Sequence, residues 1–312
     1  MHSNPFSDEE LSRRLSATRQ EMAVRGLDLV LLSAPEHVFY LTGLDHWGYF
    51  APHVLIVAAE GELVLVTRAM EHVAIRNQVR NATFIGHSDS ESAADVVVKH
   101  LNGASSGKTI GLESASAGLS YAMGQALKQG IDGASWVDTT GMLDEMRLVK
   151  SIEEQRFMRS AAVASDAGTQ AAINAIHDGA KEADVAAECL AAMTRAGGTP
   201  PGFGPFLRPS HRMAEEHTTW GYGEHHEAVF LEIAGCVARY NAPMGRLVNI
   251  GRISDEDAEM ARICGEAFDA TLRALKVGAR AKDVYSGWQS VVDAAGMPEY
   301  RRHHCGYLVG IG

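Results

Sequence analysis

The apolar and polar positions of this 312-residue chain change rhythm from segment to segment, and each rhythm predicts an element. Ser7 stands three residues ahead of Glu10 and opens a helix to about Gly26, with Leu11, Leu15, Met22 and Val24 among its apolar positions. Residues 28–33 form a short continuous apolar run, as in a strand covered on both faces. Further strands are expected at 38–43, 53–57, 62–67, 109–113 and 135–138, and helices at 70–79, 90–101 and 115–128. This alternation predicts an α/β domain over residues 1–146.

The rhythm then changes. Ser151 with Glu154 is a second capping box, and it opens an alanine-rich helix to about His177 that Asp178-Gly179 stops. A helix at 183–195 ends at Gly197-Gly198. Residues 199–210 carry Pro200, Pro201, Gly202, Gly204, Pro205 and Pro209 and read as a loop of the kind that borders function. The stretch 227–246 is an apolar, β-branched and aromatic strand pattern around which the rest is organised. Ser254 caps a helix to about Leu275, and another runs over 282–295 to Gly296. The segment 303–312 begins a glycine-punctuated apolar run with nothing after it to bury it, the pattern of a chain cut short. Residues 147–312 are therefore expected to form a second, α+β domain that lacks its C-terminal part.

Composition narrows the function classes. Hydrophobic residues make up 46% and charged residues 21%, as in ordinary globular proteins. A formal net charge of −11 disfavours nucleic acid and anionic membrane surfaces as partners. The four cysteines, Cys189, Cys236, Cys264 and Cys305, show neither zinc spacing nor a disulfide framework, which suits a reducing cytoplasm. No secretory signal pattern and no apolar run of membrane-spanning length is seen. Phosphate-loop, serine-elbow and zinc-protease motifs are missing as well.

Glu232 is the candidate for chemistry. Val229, Leu231 and Ile233 share one strand face, and Phe230, Glu232 and Ala234 share the other. A carboxylate with such neighbours is a site candidate, and an edge glutamate reaching solvent is the plainer alternative. His225 and His226 are adjacent, point to opposite faces of any strand, and read as turn residues. Of His303 and His304, only one can face a pocket, and His304 is preferred. Trp47, Trp220, Tyr240 and Tyr307 are candidates for an aromatic cage around a cation, against the plainer role of core packing.

Three places then carry a family resemblance. Tyr40-Leu41-Thr42-Gly43, Arg147-Leu148-Val149-Lys150-Ser151 with Glu153 and Glu154, and the stretches 227–246 and 303–312 are similar to segments of the creatinase/aminopeptidase P/prolidase family, the pita-bread hydrolases. The resemblance runs from about Leu11 to the end. It implies a creatinase-like α/β N-terminal domain, an α+β pita-bread C-terminal domain and a homodimer, in which Trp47 reaches a neighbour's pocket. Metallopeptidases of the family bind two divalent ions through two Asp, one His and two Glu. Here the first Asp position holds Glu232, the second holds Pro243, and the His position holds Tyr307. The resemblance so altered implies no metal and no other cofactor.

The runs 217–220, 231–236, 239–240 and 306–312 look like a metal-free branch of the family, the ectoine hydrolases, more than the creatinase branch. The expected function is therefore metal-independent hydrolysis of a C–N bond in a small cationic or zwitterionic solute, with a cyclic amidine of ectoine type preferred. Glu232 would serve as nucleophile, general base or substrate anchor, and His217 would be the proton shuttle that creatinase-like enzymes place near the scissile bond. The alternatives are creatine hydrolysis, a divergent metal-dependent Xaa-Pro peptidase, and a non-enzymatic binding module on the same fold.

Overall fold

The computed structural model describes residues 3–312, which form two compact units. The first holds the described residues through Met158 together with Ala238–Tyr240 and Ile311–Gly312; the second holds Arg159–Val237 and Asn241–Gly310.

In the first unit the elements run α1 (Asp8–Val24), β1 (Leu29–Leu32), α2 (Pro35–Thr42), β2 (Val54–Ala58), β3 (Leu63–Arg68), α3 (His72–Gln78), β4 (Ala82–His87), α4 (Ala93–Leu101), β5 (Thr109–Leu112), α5 (Tyr121–Gly130), β6 (Ser135–Asp138) and α6 (Met142–Met146). The strands make one sheet in the order β4-β3-β2-β1-β5-β6. β2 is antiparallel to both β1 and β3, and the remaining pairs are parallel. Each face of the sheet has its own core. Val30 and Leu32 point into a cluster with Leu11, Met22, Phe39 and Leu41, whereas Leu31 points into one with Val97, Met123 and Leu127. That division explains why β1 reads as an unbroken apolar run.

The segment expected as a strand at 38–43 is helical. Pro35 starts α2 at its first turn, and Gly43, at φ 71°, ends it with its N–H on the Phe39 carbonyl. The helix is buried nearly all round, so its apolar residues carry no one-sided stripe to betray a helical period.

α7 (Ile152–Ala175) starts as its capping box predicts, with Glu154 accepting from the Ser151 N–H and Ser151 Oγ accepting from the Glu154 N–H. There follow β7 (Ala180–Lys181), α8 (Glu182–Arg195), β8 (Phe206–Pro209), β9 (Glu224–His225), β10 (Ala228–Val237), β11 (Tyr240–Asn249), α9 (Asp255–Ala274) and α10 (Ala281–Ala294). β11, β10 and β8 form a three-stranded sheet, and β7 pairs with β9. The fold is thus an α/β N-terminal domain followed by an α+β domain. β8 lies inside the stretch read as a loop, because four residues between prolines are too short a signal to stand out. His225 belongs to a strand rather than a turn: it pairs with Ala180 and is fully buried, while His226 is exposed and hydrogen-bonded to Asp178 at 2.8 Å.

Between β10 and β11 the turn residues Ala238 and Arg239 have φ of 48° and 61°. Left-handed backbone at both positions is the turn that matches strand twist, and it ordinarily uses Asn and Gly. A residue with a Cβ costs about 1 kcal/mol or more there. Arg239 offsets this through its side chain, donating from Nε to Asp45 Oδ1 at 2.7 Å and from Nη2 to the His46 carbonyl at 2.6 Å. Its own carbonyl accepts from the Gly312 N–H at 3.0 Å.

Candidate functional site

The register of β8 against β10 fixes which side chains share a face. Phe230 stands opposite Arg208, Leu231 opposite Leu207, and Glu232 opposite Phe206. Directly opposed residues of an antiparallel pair point the same way. Leu207, Leu231 and Ile233 therefore point together into the second unit's core, where they meet Val185, Cys189 and Met193 of α8. Gly235 lies on this side too, where a Cβ would stand 2.4 Å from the Ala161 carbonyl oxygen, so only glycine lets α7 approach. The opposite face presents Phe206, Arg208, Phe230 and Glu232. Met244 of β11 bonds through sulfur to Thr169 of α7, so its neighbour Pro243 falls on the same side as Glu232.

Next to that face runs the loop between β8 and β9. A buried carboxylate and a partly buried guanidinium hold it. Glu182, 2% exposed at the start of α8, accepts from the Gly221 N–H and from Arg212 Nη1 at 3.0 Å. The same guanidinium reaches Glu215 Oε2, Thr218 Oγ1 and the Thr219 carbonyl. A carboxylate at the first turn of a helix also meets the positive end of its dipole. His217 sits between these braced residues, exposed and in the left-handed region at φ 61°. Its ring lies 6.4 Å from that of Phe206, near edge-on, and Phe203 stacks on the same ring at 4.9 Å. Phe206 thus has His217 at its ring and Glu232 across the strand pair.

Each of the other residues singled out in the sequence has its own surroundings. Trp220 packs against the apolar cluster of the second unit, the plainer of its two roles. His304 and Tyr307 meet each other at 5.5 Å in an exposed segment, with His303 4.1 Å from His304. Trp47 belongs to the first unit and is 76% exposed. Tyr240 takes a packed core position, the plainer of its two roles. It is fully buried in the first unit's core, stacked on Phe157, with its hydroxyl 2.9 Å from Glu154 and 3.3 Å from Arg14. Burial holds its phenol far above the ordinary range, with the neighbouring Arg14 opposing that shift. The sequence signal for Tyr240 is two-edged, since its burial depends on partners 86 and 226 positions away.

Sequence reasoning missed Arg208, Arg212 and Glu182. Arg208 carried a faint signal, alternating with Leu207 at period two, but the surrounding prolines masked it.

The donor set around Glu232 does not fit a dinuclear metal centre. Pro243 brings no donor, and among the described residues no three His, Cys, Asp or Glu side chains are grouped to hold an ion. A carboxylate, an imidazole, a guanidinium and aromatic rings remain. That set can bind a charged planar solute and move protons at it.

Against known proteins, the creatinase/prolidase N-terminal domain family matches residues 14–149, and metallopeptidase family M24 matches residues 156–312. The chain is 27% identical to an ectoine hydrolase of Halomonas elongata, over 98% of this chain and 82% of that protein. It is 23% identical to an Xaa-Pro dipeptidase of Pyrococcus furiosus, over 96% and 83% respectively. Among solved structures, the prolidase of Pyrococcus horikoshii superposes with a TM-score of 0.83 at 22% identity, covering 96% of this chain and 82% of that one.

Proposed function

The chain belongs to metallopeptidase family M24 and is a hydrolase of carbon–nitrogen bonds, and from that premise we propose that it opens a small amidine of ectoine type without a divalent metal. The observation that carries this reading is the donor chemistry on one sheet face: Glu232 at the centre, Pro243 beside it without a donor atom, and His217 on a braced loop across Phe206. The likeness to an ectoine hydrolase supports it.

An amidinium carbon is electrophilic, and its positive charge pairs with a carboxylate. Glu232 binds that cation and takes a proton from a water molecule as the water oxygen attacks the carbon. His217 passes a proton to the departing nitrogen, the C–N bond breaks, and an amide and a free amine result. Such a shuttle contributes on the order of 10²–10⁴ in rate. Phe203 and Phe206 wall the planar group, and their ring faces favour a cation by about 0.5–2 kcal/mol.

The dipeptidase relative favours a second reading, metal-assisted cleavage of an Xaa-Pro bond. Calorimetric titration and product detection decide between the two, using ectoine, hydroxyectoine, creatine and an Xaa-Pro dipeptide on metal-analysed protein. Turnover of ectoine without stoichiometric metal is expected. Dipeptide cleavage that requires added manganese or cobalt would overturn the proposal.

A further inference from the structure

Glu232 has a cationic counterpart on its own sheet face, and we propose that this residue, Arg208, holds a carboxylate of the substrate. The inference rests on the amidine reading and deepens it: the substrate is a zwitterion with an amidinium and a carboxylate a few bonds apart, not a simple cation.

Arg208 is 5% exposed. Its guanidinium lies 4.4 Å above the Phe230 ring, and Nη1 donates to the Glu215 carbonyl. Nε is buried and has no hydrogen-bond partner. Among the described residues, no Asp or Glu side chain forms an ion pair with Arg208. A buried cation without a counter-ion is costly, and such a group asks for an explanation. A ligand anion supplies one. With Nη1 committed to the loop, the Nε and Nη2 edge remains, and those two parallel N–H bonds are the fork that a carboxylate takes side-on.

The register supplies the spacing. Arg208 opposes Phe230, and Glu232 lies two residues further along β10 on the same face. Diagonal neighbours of an antiparallel pair have Cα atoms about 7–8 Å apart. Opposite charges so placed match a compact solute with one charge at each end and a flat ring between. Phe206 stands beside Arg208 on that face and opposite Glu232, where such a ring would lie.

The test compares ectoine with its decarboxylated counterpart, 2-methyl-1,4,5,6-tetrahydropyrimidine, on wild type, Arg208→Gln and Arg208→Lys. Wild type is expected to prefer the carboxylated amidine by about 10²-fold or more in kcat/KM, because a site built to bond a group rejects the analogue that lacks it. Arg208→Gln should lose most of that preference, because a raised KM makes kcat/KM for ectoine fall much further than that for the analogue. Arg208→Lys keeps the charge without the fork and should fall between. Equal use of both amidines by wild type, or an unchanged preference in either variant, would overturn the assignment; should Arg208→Gln not fold, wild type and Arg208→Lys still decide. If wild type turns over the Xaa-Pro dipeptide and neither amidine, the amidine reading fails by itself. The same ratio is then read between that dipeptide and its C-terminal amide, and it decides on Arg208 independently.

Discussion

Arg212 donates to Glu182 at 3.0 Å, and the loop that presents His217 hangs on that contact. Both neighbours of the histidine's segment, Glu215 and Thr218, are held by the same guanidinium. Glu182→Gln leaves Arg212 without its buried counter-charge and weakens the bond to the Gly221 N–H. Removing one partner of a buried pair costs about 3–5 kcal/mol, and less here because the Arg212 side chain is 20% exposed. The expected outcome is a lower melting temperature and a kcat about tenfold down. Unchanged kcat in a variant with lowered Tm would separate the brace from the chemistry.

Glu232 stands at the centre of its face and is only partly buried, so its charge is not needed to hold the strand. Glu232→Gln keeps the shape and removes both the anion and the base. Turnover should fall by at least about 10³-fold, the scale of losing a general base and its charge pairing. The melting temperature should move little. Retained activity would remove Glu232 from the catalytic role.

Tyr240 offers the opposite case. Its hydroxyl bridges Glu154 and Arg14, which are fully or almost fully buried. Tyr240→Phe should cost about 1.5–3 kcal/mol, the worth of a hydrogen bond to a charged group. KM should not change. A raised KM at unchanged stability would favour the cage role instead.

His53 makes stability depend on acid. Burial pushes its imidazole down to about 4 from an ordinary 6.5, with the bond from Nδ1 to the Ala51 carbonyl opposing the shift. Above pH 6.5 the ring is neutral whether the chain is folded or not, and it contributes no dependence. Between 6.5 and 4 the unfolded chain takes up a proton that the folded chain refuses, so stability is lost as pH falls through that window. The loss is up to about 3 kcal/mol. Its partner His46, 3.0 Å away, is also lowered by burial and adds to the same slope. His53→Asn keeps a donor for Ala51 and removes this titration. Denaturant melts at pH 7 and pH 5 should then differ less than in wild type, and an equal difference would refute the assignment.

Much of the fold was legible because its signals are local. Ser7, Ser151 and Ser254 cap helices where the sequence places them, and β1 shows its two-sided burial as an unbroken apolar run. The failures have physical causes. α2 is enclosed on nearly all sides, so its pattern lacks a polar stripe and imitates a strand. β8 is a four-residue element whose identity comes from pairing with β10, not from its own composition. The site divides the same way. Glu232 stood out as a charge in an apolar strand, whereas Arg208 acquires its meaning only from register. The brace between Glu182 and Arg212 spans 30 positions and has no local signature.

The turn at Ala238 and Arg239 bears on the order in which the molecule assembles. A hairpin closed by Asn-Gly can form early, since its turn is favourable by itself. This one lacks that head start. Arg239 gains its compensation from Asp45, 194 positions earlier, so the hairpin depends on a contact of very high sequence separation. It is expected to close late, after the segment around Asp45 is in place. Native-state hydrogen exchange would register that history as amides beside the turn that open together with the Asp45 loop rather than with the middle of β10.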